Sequence, residues 1–333
     1  SRGGAAFFSV SKQCTLHSCI FQNNYAKSSG GAIHVELDTR VSTSPAFENP
    51  FIITDCNFSD CKCNGDGGAV TSGFLDIDQS DKDGDMLIEF CSFTGCIANR
   101  GGALFFLDGT EARDEEKHIY NCTFTSCSTY GEKKGEGFAI SARSFKVELI
   151  NDTFTNHIAE EILDSTSIVY IEMNEESPKI EDCIFEQNSV TSMICRLSSS
   201  VDLNRIKFDS NDGNSACIDL HSWEIKGDAN FNYCNFSNNK AQCIFMHSPK
   251  TAFVSRVSYC EFHNNVFYAR GNMTGGSCIY SSVGGNMTVQ HCTFISNKAN
   301  FGGAINGNAA YIDISSCTFT MCSSIDEDDG CMG

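Results

Sequence analysis

Cysteine is the residue type with the most chemical potential in this chain, and it recurs in pairs five residues apart. The pairs are Cys56/Cys61, Cys91/Cys96, Cys122/Cys127 and Cys317/Cys322. Thiolates could hold zinc, but zinc sites favour pairs separated by two to four residues with a second pair close by, and Cys61-Lys62-Cys63 is tighter than that. Disulfides and small buried hydrophobes are the other two readings. Carboxylates are the second candidate. Asp76, Asp78, Asp81, Asp83 and Asp85 are dense enough to suggest calcium, with Asp81, Asp83 and Asp85 as ligands. That stretch lacks the first ligand and the terminal Glu of an EF-hand loop. A solvated acidic loop is the simpler reading, and Asp326-Glu327-Asp328-Asp329 reads the same way. No cofactor is required, and calcium is the one this acidic stretch would admit. The eight histidines are scattered. His17, His34, His118 and His291 show no paired spacing with a nucleophile, and no phosphate loop, nucleophile elbow or dinucleotide fingerprint is present.

Arg205-Ile206-Lys207 is similar to the Arg-Ile-Lys motif of polygalacturonases. Those enzymes also need clustered aspartates, which protonate the leaving oxygen and activate water, and a Gly-His-Gly. No Gly-His-Gly occurs here, and Asn151-Asp152-Thr153 is scrambled relative to the enzyme motif. No catalytic residue is assigned. Asn-x-Ser/Thr sequons stand at Asn57, Asn121, Asn151, Asn235, Asn272 and Asn286, a number near chance for this composition. Asn57 and Asn235 are the glycosylation candidates, because the strand pattern below places them outward.

These residues belong to a repeat. Cys-x-Phe occurs at Cys19/Phe21, Cys56/Phe58, Cys91/Phe93, Cys122/Phe124, Cys183/Phe185, Cys234/Phe236, Cys260/Phe262, Cys292/Phe294 and Cys317/Phe319. Degenerate copies stand at Asp152/Phe154 and Ile206/Phe208. Three residues after the Phe comes Asn24, Asn188, Asn211, Asn239, Asn265 or Asn297; in other copies it is Cys61, Cys96, Cys127 or Cys322, and once His157. A glycine marker follows, as in Gly30-Gly31-Ala32-Ile33, Gly67-Gly68-Ala69-Val70, Gly101-Gly102-Ala103-Leu104 and Gly302-Gly303-Ala304-Ile305. Repeats of this kind indicate a solenoid or an array.

Runs such as Ile52-Ile53-Thr54-Asp55-Cys56-Asn57-Phe58 alternate apolar and polar residues with the period of a strand. Cys and Phe then share the inward face, and the residue between them points to solvent. No sustained helical stripe appears, which excludes helical repeats. No Trp-Asp mark or leucine ladder appears either. What remains is a right-handed single-stranded parallel β-helix, a pectin-lyase-like solenoid of about eleven coils. Its expected ladder is Phe21, Phe58, Phe93, Phe124, Phe185, Phe236, Phe262, Phe294 and Phe319, with Asn24, Asn188, Asn239, Asn265 and Asn297 in the turns. Stacked cysteines would have parallel Cβ vectors, a poor disulfide geometry. The polar insertions near 38–49, 73–85, 109–117 and 130–136 read as surface loops. One array covers residues 1–333, and residues 150–225 are its most degenerate coils.

Phe-x-x-Asn followed by Gly-Gly-Ala-Ile, as at Phe21/Asn24 with Gly30–Ile33 and Phe294/Asn297 with Gly302–Ile305, resembles the repeat of the polymorphic outer-membrane proteins of chlamydiae. Similar repeats occur in large surface proteins of parasitic protists. The resemblance implies a β-helix passenger region at a cell surface, often an adhesin. This chain departs from it by placing Cys in the asparagine slot of four repeats and by lacking the membrane barrel.

The formal net charge of −19 disfavours nucleic acid as a partner. No apolar run is long enough for a membrane span. The 20 cysteines fit an oxidising compartment without requiring one. The chain opens inside one glycine marker and closes inside another, so continuation into further domains is expected. The expected function is a secreted or cell-surface, non-catalytic scaffold or adhesin module. Its ligand would be a host or cell-surface protein or glycan. The alternative is a carbohydrate-active β-helix enzyme, a polysaccharide lyase or glycoside hydrolase. An enzyme should gather carboxylates on one sheet face.

Overall fold

The computed structural model describes residues 1–10, 13–37, 51–73, 85–107, 116–130, 136–143, 146–159, 166–173, 177–197, 200–212, 216–222, 228–248, 253–268 and 276–324. Asp81, Asp83 and Asn272 lie outside the described residues. Among the described residues every regular element is a strand, and the strands pair in parallel. The chain forms two compact units, Ser1–Lys179 and Ile180–Gly333. Each is a parallel β-helix.

One coil shows the construction. In the first unit, Met86–Glu89 belongs to one sheet, Ser92–Thr94 to a second, Ile97–Ala98 to a short third ladder, and Leu104–Leu107 to the last sheet before the chain begins the next coil. We call these sheets II, III, IV and I. The unit carries five sheet III strands, Ile20–Gln22, Asn57–Ser59, Ser92–Thr94, Thr123–Thr125 and Thr153–Thr155. The second unit carries six, Ile184–Glu186, Lys207–Asp209, Asn235–Ser237, Glu261–His263, Thr293–Ile295 and Thr318–Thr320. Together these account for eleven coils.

Parallel pairing in register brings identical residues together. In the first unit Phe21, Phe58, Phe93, Phe124 and Phe154 are consecutive partners. Their rings stack at 4.8–4.9 Å. In the second unit Phe185, Phe208, Phe236, Phe262, Phe294 and Phe319 stack at 4.7–5.1 Å. Each buried ring contributes about 1.5–3 kcal/mol of apolar burial, and each ring pair adds roughly 0.5–1.5 kcal/mol.

The asparagines form a second ladder, in which every polar atom is used. Asn239 Nδ2 donates to Asn265 Oδ1 on the following coil at 3.0 Å and to Phe208 O on the preceding one at 3.1 Å. Its Oδ1 accepts from Asn211 N and Asn211 Nδ2, both at 3.0 Å. Asn265 repeats the pattern with Asn297 and Phe236. A side-chain amide has two donors and one carbonyl with two lone pairs, so nothing is left unpaired.

This arrangement explains the exchange of Asn for Cys. The thiol of Cys96 points to Phe58 O and that of Cys127 to Phe93 O, the acceptors that an asparagine would use. The sulfur of Cys61 in turn faces Asn24 Nδ2 at 3.8 Å. Cysteines of the Cys-x-Phe step behave alike. Cys91 Sγ faces Glu89 O at 3.2 Å while Cys56 N points at Cys91 Sγ. All 19 described cysteines are thiols.

The turns carry a regularity of their own. Both corners that flank each sheet III strand hold a residue in the left-handed region. Examples are Asp55 and Asp60, Asn121 and Ser126, and Asn151 and Asn156, all with φ between +52° and +60°. Asn and Asp tolerate this conformation best. The two glycines of the marker serve different needs. Gly67 has φ +68°, whereas a Cβ on Gly68 would lie 1.9 Å from Gly102 O on the next coil. In the degenerate stretch the Gly-Gly bend is absent, and the sheet I strands lengthen to seven residues, as in Ser167–Met173, Thr191–Leu197 and Ala216–Ser222.

Phe90 occupies a left-handed corner with φ +53° although its side chain is 55% exposed. Phe90→Asn should stabilise the protein by about 1 kcal/mol in urea unfolding, because a bulky residue is disfavoured there by roughly that amount. Asp152 fills a cysteine slot at 0% exposure, where its Oδ1 accepts from Cys122 N at 2.7 Å. Burial pushes its carboxyl well above the ordinary value. A raised folded-state pKa gives stability that is present in acid and lost as pH rises. Asp152→Asn keeps the acceptor and removes the titration. Its gain in melting temperature over wild type should therefore grow from pH 4 to pH 8.

Candidate functional site

The outward face of sheet II in the first unit gathers the densest set of unlike reactive groups among the described residues. It is built on Met86–Glu89, Glu116–Tyr120 and Lys146–Ile150, which are adjacent strands. The strand period turns Ile119, Val147 and Leu149 inward, at 0% exposure, and leaves Glu116, His118, Tyr120, Lys146 and Glu148 on the outer face. Register places Glu116 beside Lys146 and His118 beside Glu148.

The contacts are short. His118 Nδ1 lies 3.0 Å from Glu148 Oε2, and His118 Nε2 lies 3.4 Å from Glu116 Oε2. The Tyr120 hydroxyl donates to Glu148 Oε2 at 2.5 Å and sits 2.8 Å from His118 Nδ1. Lys146 Nζ pairs with Glu116 Oε1. Asp85 closes the edge, its Oδ1 accepting from Glu116 N at 3.0 Å. Partial burial pushes the Glu148 carboxyl up, but hydrogen bonds from Tyr120 and His118 outweigh it and leave the group below its ordinary value. The Tyr120 phenol is pushed up, first by burial and then by the Glu148 carboxylate. Glu116, His118 and Glu148 each offer a ligand atom, all within 4.8 Å of one another, so they could hold a metal ion.

The sequence reading singled out other residues. Of Asp81, Asp83 and Asp85, only Asp85 is described, and it borders this cluster. Arg205, Ile206 and Lys207 are not assembled into a site. Arg205 pairs with Asp182 through two bonds of 2.7 and 2.8 Å, Ile206 is buried, and Lys207 pairs with Asp209 at 3.1 Å. Asn57 is exposed; Asn235 is half-buried and donates to Glu261 Oε2 at 3.1 Å. Asn121 and Asn151 are sequon residues because a left-handed corner precedes an outward strand threonine, so the fold alone accounts for both motifs. Cys122, Cys195, Cys217 and Cys243 are poor nucleophiles, because burial raises their thiols well above the ordinary value, whereas hydrogen bonds from neighbouring cysteines lower those of Cys91 and Cys292.

The alternation Glu116-x-His118-x-Tyr120 within one strand could not reveal the cluster, since Glu148, the partner of His118 and Tyr120, and Lys146, the partner of Glu116, come from the next coil. The available signal was that Glu116-Lys117-His118 and Lys146-Val147-Glu148 precede consecutive repeat markers by equal offsets, Cys122 and Asp152.

Tyr120→Phe removes one donor from Glu148. The Glu148 titration, followed by carboxyl carbon NMR, should move to higher pH. An unchanged titration would mean that the phenol does not hold the carboxylate. Comparison with family models, with curated proteins and with solved structures gives no match for this chain.

Proposed function

We propose that this chain is a non-catalytic β-helix scaffold of a secreted or cell-surface protein, an adhesin-type module that displays binding groups for a protein or glycan ligand. The observation that carries this reading is where the chain varies. Between sheets II and III the connection is always two residues, as in 55–56, 90–91, 121–122, 205–206 and 291–292. Between sheets I and II it runs from 144–145 to 38–50. The connection into sheet I runs from 99–103, after sheet IV of the first unit, to 268–278 in the second unit, after Val266–Phe267 of a separate three-stranded ladder. Recurring side chains are spent on internal ladders, so insertions and outward faces are what a ligand would meet. The resemblance to polymorphic outer-membrane repeats points the same way. No described helix is long and apolar enough to cross a membrane.

The carbohydrate-active alternative has one observation in its favour, the approach of Glu116 and Glu148 on a sheet face. Their electrostatics fit it poorly. A general acid needs a carboxyl with a raised pKa. Glu148 is lowered, and Glu116 is paired with Lys146. The strongly raised carboxyl, Asp152, is buried in the ladder.

The test replaces residues 38–50 with a two-residue connection of the 144–145 kind. The melting temperature should change by only a few degrees, because the entropy of closing a connection varies slowly with its length. Binding to a glycan array and to intact cells should fall at least ten-fold in this variant or in a matching replacement of 269–275. Release of reducing ends or unsaturated uronates from polysaccharides, lost in Glu148→Gln, would decide for the enzyme.

A further inference from the structure

We infer that Glu116, His118 and Glu148 form a binding site for one borderline divalent ion of the zinc and cobalt class. The repeat does not ask for these residues. In the same outward column, the neighbouring coils carry Ile52 and Leu87, which cannot ligate. Imidazole nitrogen and carboxylate oxygen are both ligands of zinc-like ions, whereas calcium would want six or more oxygens.

The distances are close to those a bound ion demands. Two ligands of a tetrahedral zinc at its usual bond lengths stand roughly 3.4 Å apart. His118 Nε2 and Glu116 Oε2 are separated by 3.4 Å, and the three ligand atoms lie within 4.8 Å of one another. Glu148 Oε2, at 3.0 Å from Nδ1, must turn toward the Nε2 edge of the ring to complete the shell, with water as the fourth ligand. Tyr120 Oη, at 2.8 Å from Nδ1, supplies the outer hydrogen bond that fixes the ring and leaves Nε2 for the metal.

The local charge favours a cation. Asp85, Glu89, Glu116 and Glu148 lie on this face or at its edge, opposed by Lys146 and by Lys179, whose charge is felt at Glu148. Without an ion, Lys146 occupies Glu116. Lys146 is therefore a competitor, and its removal should tighten binding. A merely structural ion-pair network predicts no such gain.

The experiment titrates cobalt(II) into the full chain, kept reduced, and follows its visible spectrum and calorimetric heat. Wild type should bind one equivalent through nitrogen and oxygen, with no sulfur charge-transfer band. His118→Ala should weaken that equivalent about 100-fold and Lys146→Met should tighten it several-fold, while Asp182→Asn, outside the cluster, changes neither. Melting curves of each variant separate loss of the site from loss of the fold. Absence of binding, a sulfur charge-transfer band, or an affinity unchanged in a folded His118→Ala protein would overturn the assignment. Failure of the loop-replacement test would leave it standing, because it does not depend on the display reading.

Discussion

The spacing between parallel strands governs this protein. Backbone hydrogen bonds hold successive coils about 4.8 Å apart, and each side chain must be compatible with a copy of its own slot at that distance. Aromatic rings meet the demand by stacking, as Phe236, Phe262 and Phe294 do at 4.8–4.9 Å. Primary amides meet it because donor and acceptor stand at opposite ends of one small group, so Asn211, Asn239 and Asn265 hand hydrogen bonds along the axis. A thiol meets it less completely, with one weak donor and one weak acceptor, yet it reaches the same carbonyl. This is why Cys61, Cys96 and Cys127 can stand where other coils have Asn211, Asn239 and Asn265. The cysteine content thus has a structural account that needs neither metal nor disulfide.

Much of the fold was legible in the sequence because the ladder constraint writes the same residue at each coil. Cys-x-Phe gave the inward face of sheet III, and the Gly-Gly marker gave the bend into sheet I. What was not read was the pair of left-handed corners. Their residues vary from Asn121 and Asp55 to Tyr233, Tyr259 and His291. Polar and aromatic types share the slot because the corner is outside the core, and neighbouring coils supply the stabilisation: Tyr233 and Tyr259 stack at 5.0 Å, and Tyr259 and His291 at 4.8 Å. The lengthened sheet I strands were hidden for the opposite reason. Loss of Gly-Gly removes a marker from the sequence while leaving the strand pairing intact, as Thr191–Leu197 and Ala216–Ser222 show.

The candidate site was hardly legible at all. It draws on two strands about thirty residues apart, Glu116–Tyr120 and Lys146–Ile150, and each member is an ordinary outward residue within its own repeat. Only register makes His118 a neighbour of Glu148 and Glu116 a neighbour of Lys146. In a solenoid, chemistry on a face is read down columns and not along the chain. Motifs of enzymes with clustered loops are therefore misleading here. Arg205-Ile206-Lys207 shows this, since its two cations find separate carboxylate partners and its centre is core.

In-register stacking also sets an electrostatic problem. Two like charges at the coil spacing repel by about 1 kcal/mol in water, and by a few kcal/mol nearer the surface of the protein. A column of carboxylates would repeat that cost at every coil, and the chain carries a formal net charge of −19. The outward columns answer by alternating partners between adjacent coils: Asp66 with Arg100, Asp182 with Arg205, Asp212 with Lys240, and Asp228 with Arg256. Uncharged amides serve as well, as where Asn230 Nδ2 bridges to Asp202. On the sheet II face around His118, Lys146 answers Glu116 in the same way, yet Glu116 and Glu148 from neighbouring coils also converge on one imidazole. A bound cation there would relieve the repulsion between Glu116 and Glu148, which neighbouring coils bring to the same ring.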